Sequence, residues 1–169
     1  DLDRLTGGIE VRRAKKGEKI TTLDDKERIL HEEDLLITDQ SGPIGIAGVM
    51  GGASTEVSDA TTKILLEAAI FDPISIARSA RRHKMPSEAS RRFERGVDHK
   101  VSAYAAARAA QLLVELAGGK LSGLGAEHVT ESAAVKISMD AGFPSALVGY
   151  EYQEKEVVAA LEMIGCKVS

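Results

Sequence analysis

The first fifty residues carry short apolar runs in the alternating pattern that β-strands produce when one face is buried. Five runs predict strands, at residues 9–12, 19–23, 26–30, 34–38 and 44–50. Asp24 and Asp25 form a turn between the second and third runs, and residues 40–43 form a turn between the last two. The pattern therefore predicts antiparallel strands connected by hairpins.

The middle of the chain predicts one more strand and then a helix. Residues 63–71 are apolar apart from Glu67, which favours a strand. Asp72 is a suitable N-cap and Pro73 suits the first helical position, so a helix is predicted over residues 73–84.

A second helix is predicted from about residue 99, capped by Asp98 and stopped by the glycines at 118–119. Its alanines indicate close packing on a flat surface such as a sheet. Residues 120–134 are polar and predict a connection between domains. The remainder predicts a strand at 135–139, a helical turn at 143–149, a helix at 151–165 and a strand from 166 to 169. Since so short a unit cannot bury a core, we expect it to be the start of a truncated domain.

Composition limits the class of protein. The 169 residues are 43% hydrophobic and 28% charged, with neither an apolar run long enough to cross a bilayer nor a signal-peptide pattern, so we expect a cytoplasmic protein. Cys166 is the only cysteine, which excludes an intrachain disulfide and a cysteine-built zinc site. We expect Cys166 to be a small buried apolar residue.

Charge is unevenly distributed along the chain. The net charge of −4 argues against indiscriminate coating of nucleic acid, but residues 78–95 carry +5 and leave −9 for the rest. The basic residues of this window are Arg78, Arg81, Arg82, Lys84, Arg91, Arg92 and Arg95. Such a patch would suit an anionic partner held at one place; the alternative is a solvated helix face paired with carboxylates.

Glu67 is the sharpest candidate for a functional residue. A carboxylate within an apolar run needs a partner if it is buried, either an arginine such as Arg91 or Arg95 or a hydroxyl or ammonium group of a ligand. The glycines of residues 48–52 would let backbone amides approach a ligand, but as a lone motif they favour a tight β-turn. The small residues Ser87, Ala89 and Ser90 leave room for a substrate or for a close helix–strand contact.

The sequence gives little support for a metal site or for a catalytic base or nucleophile. The four histidines are predicted to be surface residues, because none has metal-ligand spacing to another histidine or to the cysteine. They are His31, His83, His99 and His128. The sequence therefore predicts no metal site, and no residue is assigned as a general base or nucleophile.

Five blocks in order, at residues 7–12, 47–52, 65–71, 80–83 and 87–98, resemble the B3/B4 module of the bacterial phenylalanyl-tRNA synthetase β subunit. The resemblance implies an α+β fold for residues 1–130, a layered β-sandwich with helices packed on one side. Residues 131–169 resemble the start of the B5 domain, which implies a partial small α/β, winged-helix-like segment.

That resemblance implies hydrolytic post-transfer editing of tyrosine mischarged onto tRNA-Phe, within an enzyme that ligates phenylalanine to tRNA. By the family's pattern Glu67 would read the tyrosyl hydroxyl, while Gly51, Ser87 and Ala89 would shape the pocket. The arginines at 78, 81, 82, 91, 92 and 95 would approach the acceptor end of the tRNA. The implied partner is the α subunit, in a heterotetramer of two α and two β chains. The whole synthetase would use ATP and magnesium, with no cofactor in this segment.

Departures from the family pattern limit what carries over. Ser87 stands where many members have threonine, and Asp25 where glycine is usual. The histidine associated with the family's editing pocket would lie in a segment before Asp1. The alternative is a non-catalytic tRNA-binding or inter-subunit scaffold in which Glu67 is tied to an arginine.

Overall fold

The computed structural model describes residues 1–123, 125–129 and 135–169. The chain divides into two units, Asp1–Ala126 and Glu127–Ser169. Within the described residues the fold is mixed α+β with antiparallel sheets and five α-helices, which confirms the predicted α+β class. The winged-helix character of the second unit and the domain boundary at residue 130 stay predictions. No helix in the described ranges is both long and apolar enough to cross a membrane.

Among the described residues of the first unit, six short strands form two antiparallel sheets. They are β1 (Glu10–Arg13), β2 (Lys19–Thr21), β3 (Glu27–Ile29), β4 (Leu35–Asp39), β5 (Gly42–Ile46) and β6 (Met50–Gly51). The larger sheet has the order β1-β4-β5-β6, and β2 pairs with β3. The predicted strands and both hairpins of this region are confirmed, except that the return strand at 44–50 is two strands separated by a turn at residues 47–49.

The helices are α1 (Pro73–Arg82), α2 (Glu88–Phe93), α3 (Val101–Ala117), α4 (Phe143–Val148) and α5 (Glu154–Met163). Asp72 caps α1 by accepting a 2.7 Å hydrogen bond from the Ser75 amide, as predicted. Gly118 ends α3 in the left-handed conformation, with φ of 65°. Helix α2 was not predicted.

The apolar core lies where α1 packs on β4, and it includes residues of β5. Leu36, Ile46 and Ile76 are almost completely buried, and Phe71 and Met85 complete the cluster. A central strand supplies one side of this core and the amphipathic face of α1 the other, which is the usual way a small sheet covers its apolar face.

Six local predictions are wrong. Residues 63–71, 135–139 and 166–169 contain no strand. No residue of α3, a helix that is described throughout, is fully buried, so the close packing predicted from its alanines is absent within the described ranges. Cys166 is exposed rather than buried. The side chain of His83 is only 6% exposed, because it is hydrogen-bonded to a buried aspartate.

Candidate functional site

Glu67 is an exposed carboxylate without a protein partner. Among the described residues it makes no hydrogen bond and no ion pair. Arg91 lies beside Glu88 instead, at 3.3 Å, so the predicted tie between Glu67 and an arginine is absent there. Neighbouring protein atoms partly desolvate the carboxyl although solvent reaches it, and this desolvation raises its pKa above the ordinary value. An acceptor in this situation gains from any hydrogen-bond donor that a ligand brings.

The segment that carries Glu67 is fixed at its two ends. At one end the Leu2 amide donates a 3.0 Å hydrogen bond to the Lys63 carbonyl, and the Lys63 ammonium lies 2.9 Å from Asp3. At the other end Phe71 is buried in the core. Glu67 therefore lies midway along a tethered segment.

The glycine cluster forms a tight turn, which confirms the plainer of its two interpretations. Gly48 has φ of +64°, and a Cβ there would lie 2.9 Å from a ring carbon of Phe71 and 3.0 Å from Ile76. Packing as well as backbone conformation therefore requires glycine at this position. Gly51 is exposed on β6, and its carbonyl accepts a hydrogen bond from the Leu23 amide.

Ser87 joins α2 to that turn. Its hydroxyl donates a 2.6 Å hydrogen bond to the Val49 carbonyl and accepts one from the Ser90 amide as the N-cap of α2. The ring of Phe93 packs edge-on against Phe71, with centroids 5.0 Å apart. The turn, the start of α2 and the end of the Glu67 segment are thus held in one cluster.

Ala89, the remaining residue predicted to shape the pocket, is exposed on α2. Among the clefts on the described residues, one lies beside Arg13 and Arg78 and another along α5, and neither of these two is lined by any of the predicted pocket residues. The structure therefore brings Ser87 to the glycine turn but forms no closed pocket around Glu67 in those clefts.

The arginines of the basic window fall into three groups. Arg82 is ion-paired with Glu33 and with the buried Asp34. Arg91 and Arg92 both face the exposed Glu88, which matches the solvated-face alternative. The side chains of Arg78, Arg81 and Arg95 make no ion pair within the described part of the chain.

Sequence reasoning missed a buried polar cluster around Asp34, which is fully buried. The carboxylate accepts hydrogen bonds from the His31 amide at 2.8 Å and the Ser79 hydroxyl at 2.8 Å, contacts His83 Nε2 at 2.6 Å, and is ion-paired with Arg82. Burial alone would raise the pKa of Asp34, but the hydrogen bonds from His83, His31 and Ser79 outweigh it and hold the pKa far below its usual range.

The Asp34 cluster is a structural junction, since its carboxylate is already saturated with donors. It ties the turn before β4 to the C-terminal half of α1. The only sequence signal was an aspartate at the start of an apolar run, and its side-chain partners lie 45 to 49 residues away. In the described ranges no group of three or more His, Cys, Asp or Glu side chains is arranged to hold a metal ion.

Comparison with known proteins gives relatives along the whole chain. The chain is 58% identical over 169 residues to the phenylalanine–tRNA ligase beta subunit of Leifsonia xyli subsp. xyli, covering 100% of this chain and 20% of that protein. It is 53% identical over 171 residues to the subunit of the same name from Streptomyces avermitilis, and 47% identical over 169 residues to that from Nocardia farcinica, each covering 99% of this chain and 20% of the relative. The chain thus spans about a fifth of the length of these curated relatives. A sequence model of the B3/4 domain matches residues 1–118, and the chain belongs to the B3/4 domain family.

Proposed function

We propose that this chain acts within the β subunit of a cytoplasmic phenylalanyl-tRNA synthetase, as the module that hydrolyses tyrosine mischarged onto tRNA-Phe. Similarity to subunits named phenylalanine–tRNA ligase along the full chain supports the setting. The observation that carries the editing role is Glu67, an exposed and partly desolvated carboxylate with no partner among the described residues.

The chemical need for such a residue follows from the difference between the two amino acids. The apolar pocket of an aminoacylation site cannot strongly reject a substrate that adds only a hydroxyl group. A second site with an unpaired hydrogen-bond acceptor can select that hydroxyl. The phenol of tyrosine would donate to Glu67. Phenylalanine would leave the carboxylate unpaired in a partly desolvated place, which disfavours its binding.

The other site residues have supporting roles in this proposal. The hydroxyl of Ser87 donates a hydrogen bond to the Val49 carbonyl and so holds the start of α2 against the glycine turn. In this proposal Ser87 positions the side of the pocket formed by α2, and its hydroxyl does not contact the substrate. Gly51 and Ala89 are small, which leaves room beside that side of the pocket. Water is the nucleophile, and no side chain is assigned as the base.

The tRNA would approach the arginines of the basic window. Arg78, Arg81 and Arg95 are available to phosphates, and Arg91 and Arg92 can exchange their exposed pairing with Glu88 for a phosphate contact. Arg82 is excluded from this role because it is engaged with Asp34 and Glu33. In the whole synthetase, ATP and magnesium would serve the ligation reaction, and an α subunit would complete a heterotetramer of two α and two β chains.

The test measures hydrolysis of tyrosyl-tRNA-Phe and phenylalanyl-tRNA-Phe by the synthetase carrying Glu67→Ala. Loss of one hydrogen bond to a charged acceptor is expected to lower kcat/KM for the tyrosyl ester about 10- to 100-fold, with the phenylalanyl ester almost unchanged. Glu10→Ala removes another exposed glutamate, on β1, and is the matched control, which should retain full selection.

Equal loss for both esters, or no loss for either, would contradict the assignment of Glu67 as the reader of the hydroxyl. Retained tRNA binding without any ester hydrolysis in the unaltered synthetase would favour a non-catalytic tRNA-binding role.

A further inference from the structure

Arg28, on β3, joins the β2–β3 hairpin to the C-terminal end of α1. Its guanidinium donates hydrogen bonds to the Thr22 hydroxyl at 3.0 Å and to the His83 carbonyl at 3.1 Å, and it is ion-paired with Asp24 at 2.6 Å. The side chain is only 15% exposed. Because the guanidinium is planar and rigid, its donors hold these three acceptors in a fixed geometry. Arg28 therefore fixes the hairpin relative to the end of α1.

The hairpin side of this connection leads to Gly51. The Leu23 amide donates a 3.1 Å hydrogen bond to the Gly51 carbonyl, and Thr22 forms a β-bridge with Gly52. A Cβ at Gly51 would lie 3.3 Å from the side chain of Leu23, so the hairpin lies directly against this glycine. The position of Gly51 beside the hairpin thus depends on the residues that Arg28 holds.

The helix side of the connection leads to Ser87. After His83 the chain turns at Lys84, which has φ of 53°, and the Ser87 amide donates a 2.9 Å hydrogen bond to the carbonyl of the buried Met85. Only three residues separate His83 from Ser87. A hydrogen bond that fixes the His83 carbonyl therefore also restrains the start of α2.

We propose that Arg28 is a positioning residue that sets the distance between the Gly51 side and the Ser87 side of the proposed editing pocket. This inference rests on the proposed function. The hydrogen bond from Ser87 to the Val49 carbonyl joins the two sides at one place, and Arg28 joins them at a second. Two connections fix a separation that a single connection leaves free to hinge. Arg28 contacts no substrate and acts through the hairpin and α2.

A fixed separation would make the pocket selective for the width of an aromatic ring. The tyrosyl ring would fit between the two sides, and a ring widened by a bulky meta substituent would be excluded. Without the hydrogen bonds of Arg28 the hairpin could move away from α2, which would loosen the contacts to the tyrosyl ring and admit the wider one. This role differs from that of Glu67, which would select the hydroxyl group.

The test measures hydrolysis of the tRNA-Phe esters of tyrosine and of 3-iodotyrosine by the synthetase carrying Arg28→Met. Methionine retains an unbranched apolar chain but carries no donor. We expect kcat/KM for the tyrosyl ester to fall about tenfold and that for the 3-iodotyrosyl ester not to fall. The ratio of 3-iodotyrosyl to tyrosyl hydrolysis should therefore rise about tenfold.

Arg12→Met is the matched control. The Arg12 side chain is 19% exposed and is ion-paired with Glu18 at 2.6 Å, so it resembles Arg28 in burial and pairing. Its pair joins neighbouring parts of the chain around the turn between β1 and β2, away from Gly51 and Ser87 in sequence. The control should leave the ratio of the two esters unchanged.

Hydrogen exchange followed by mass spectrometry gives a second measurement, which does not depend on hydrolysis. In the Arg28→Met synthetase the peptide that contains the Leu23 amide should exchange about tenfold faster, because the bond from that amide to Gly51 opens more often. Amides of β4 and β5 should keep their protection, which reports that the variant is folded. Arg28→Lys retains the charge without the planar donors and should change the ester ratio in the same direction.

An unchanged ester ratio in Arg28→Met, in a synthetase that edits, would overturn the proposal, as would an equal change in Arg12→Met. Restoration of the original ratio by Arg28→Lys would also overturn it, since charge alone would then be sufficient. An unaltered synthetase that hydrolyses neither ester would refute the proposed function instead. Unchanged exchange at Leu23 in Arg28→Met would refute the connection through Arg28 whether or not the synthetase edits.

Discussion

Asp34 and Glu67 are two carboxylates of the same unit in opposite electrostatic situations. Asp34 is fully buried, contacts His83 and Arg82, and has a pKa held far below its usual range. Glu67 is exposed, has no partner among the described residues, and has a pKa raised by desolvation. The buried group is the saturated one and the accessible group is the unsatisfied one.

This contrast separates a group that stabilises the fold from a group that is suited to binding. Every donor around Asp34 is supplied by the protein, so a ligand could add nothing there. Desolvation disfavours the ionised form of Glu67, so a ligand donor would relieve a cost that the folded protein carries when this carboxylate is charged. Sites that bind commonly retain such a locally unfavourable arrangement.

The largest effect is expected from Asp34→Ala. The substitution leaves His83, Ser79 and Arg82 without their shared acceptor, and loss of one member of a buried charged cluster typically lowers the free energy of unfolding by about 3–5 kcal/mol. Urea unfolding at neutral pH measures the change. Asp59→Ala, in an exposed loop, is the control and should change stability by less than about 0.5 kcal/mol.

The stability difference between the original chain and Asp34→Ala should depend on pH. Because the folded-state pKa of Asp34 lies below the unfolded value of 3.8, its contribution is fully present above pH 3.8 and is lost as the pH falls toward the folded-state pKa. The difference between the original chain and Asp34→Ala should therefore narrow only below about pH 4. A difference that is constant from pH 7 to pH 2 would contradict the role assigned to the ionised carboxylate.

A smaller effect of opposite sign is expected from Glu67→Gln. A folded-state pKa raised above 4.5 means that ionised Glu67 disfavours folding above that pKa, and that the penalty disappears below pH 4.5. Glutamine removes the charge, so the variant should be slightly more stable at pH 7, by less than about 1 kcal/mol because solvent screens an exposed group.

Thermal unfolding of Glu67→Gln at pH 7 and at pH 4 measures this effect, with Glu10→Gln as the exposed control on β1. The increase in unfolding temperature of Glu67→Gln should be present at pH 7 and reduced at pH 4. The control Glu10→Gln should show no such increase. A variant that is less stable at pH 7 would show that Glu67 has a stabilising partner.

Local sequence signals were sufficient where structure depends on neighbours in the chain. The turn at residues 40–41 and the apolar run of β4 predicted the central hairpin, and Asp72 followed by Pro73 predicted the start of α1. Helix α2 was missed because its capping box uses Ser87 with Ser90, whereas the usual sequence signal has Glu or Gln at the second position.

Features that depend on contacts between distant residues could not be predicted from the sequence. Asp34 gave no hint of His83, which is 49 residues away, and the burial of that histidine follows only from their contact. Residues 63–71 have the composition of a strand, but a strand exists only where another strand pairs with it. For the candidate site, the sequence predicted Glu67 and the glycine turn, while the bond from Ser87 to Val49 required the fold.

The central claim is that the Glu67 carboxylate reads a phenolic hydroxyl. The most direct measurement compares the affinity of the synthetase for non-hydrolysable amide analogues of 3′-tyrosyl-adenosine and 3′-phenylalanyl-adenosine, in the original protein and in Glu67→Ala. A preference for the tyrosyl analogue of about tenfold or more is predicted, and it should fall to near unity in the variant. An undiminished preference in Glu67→Ala would contradict the account.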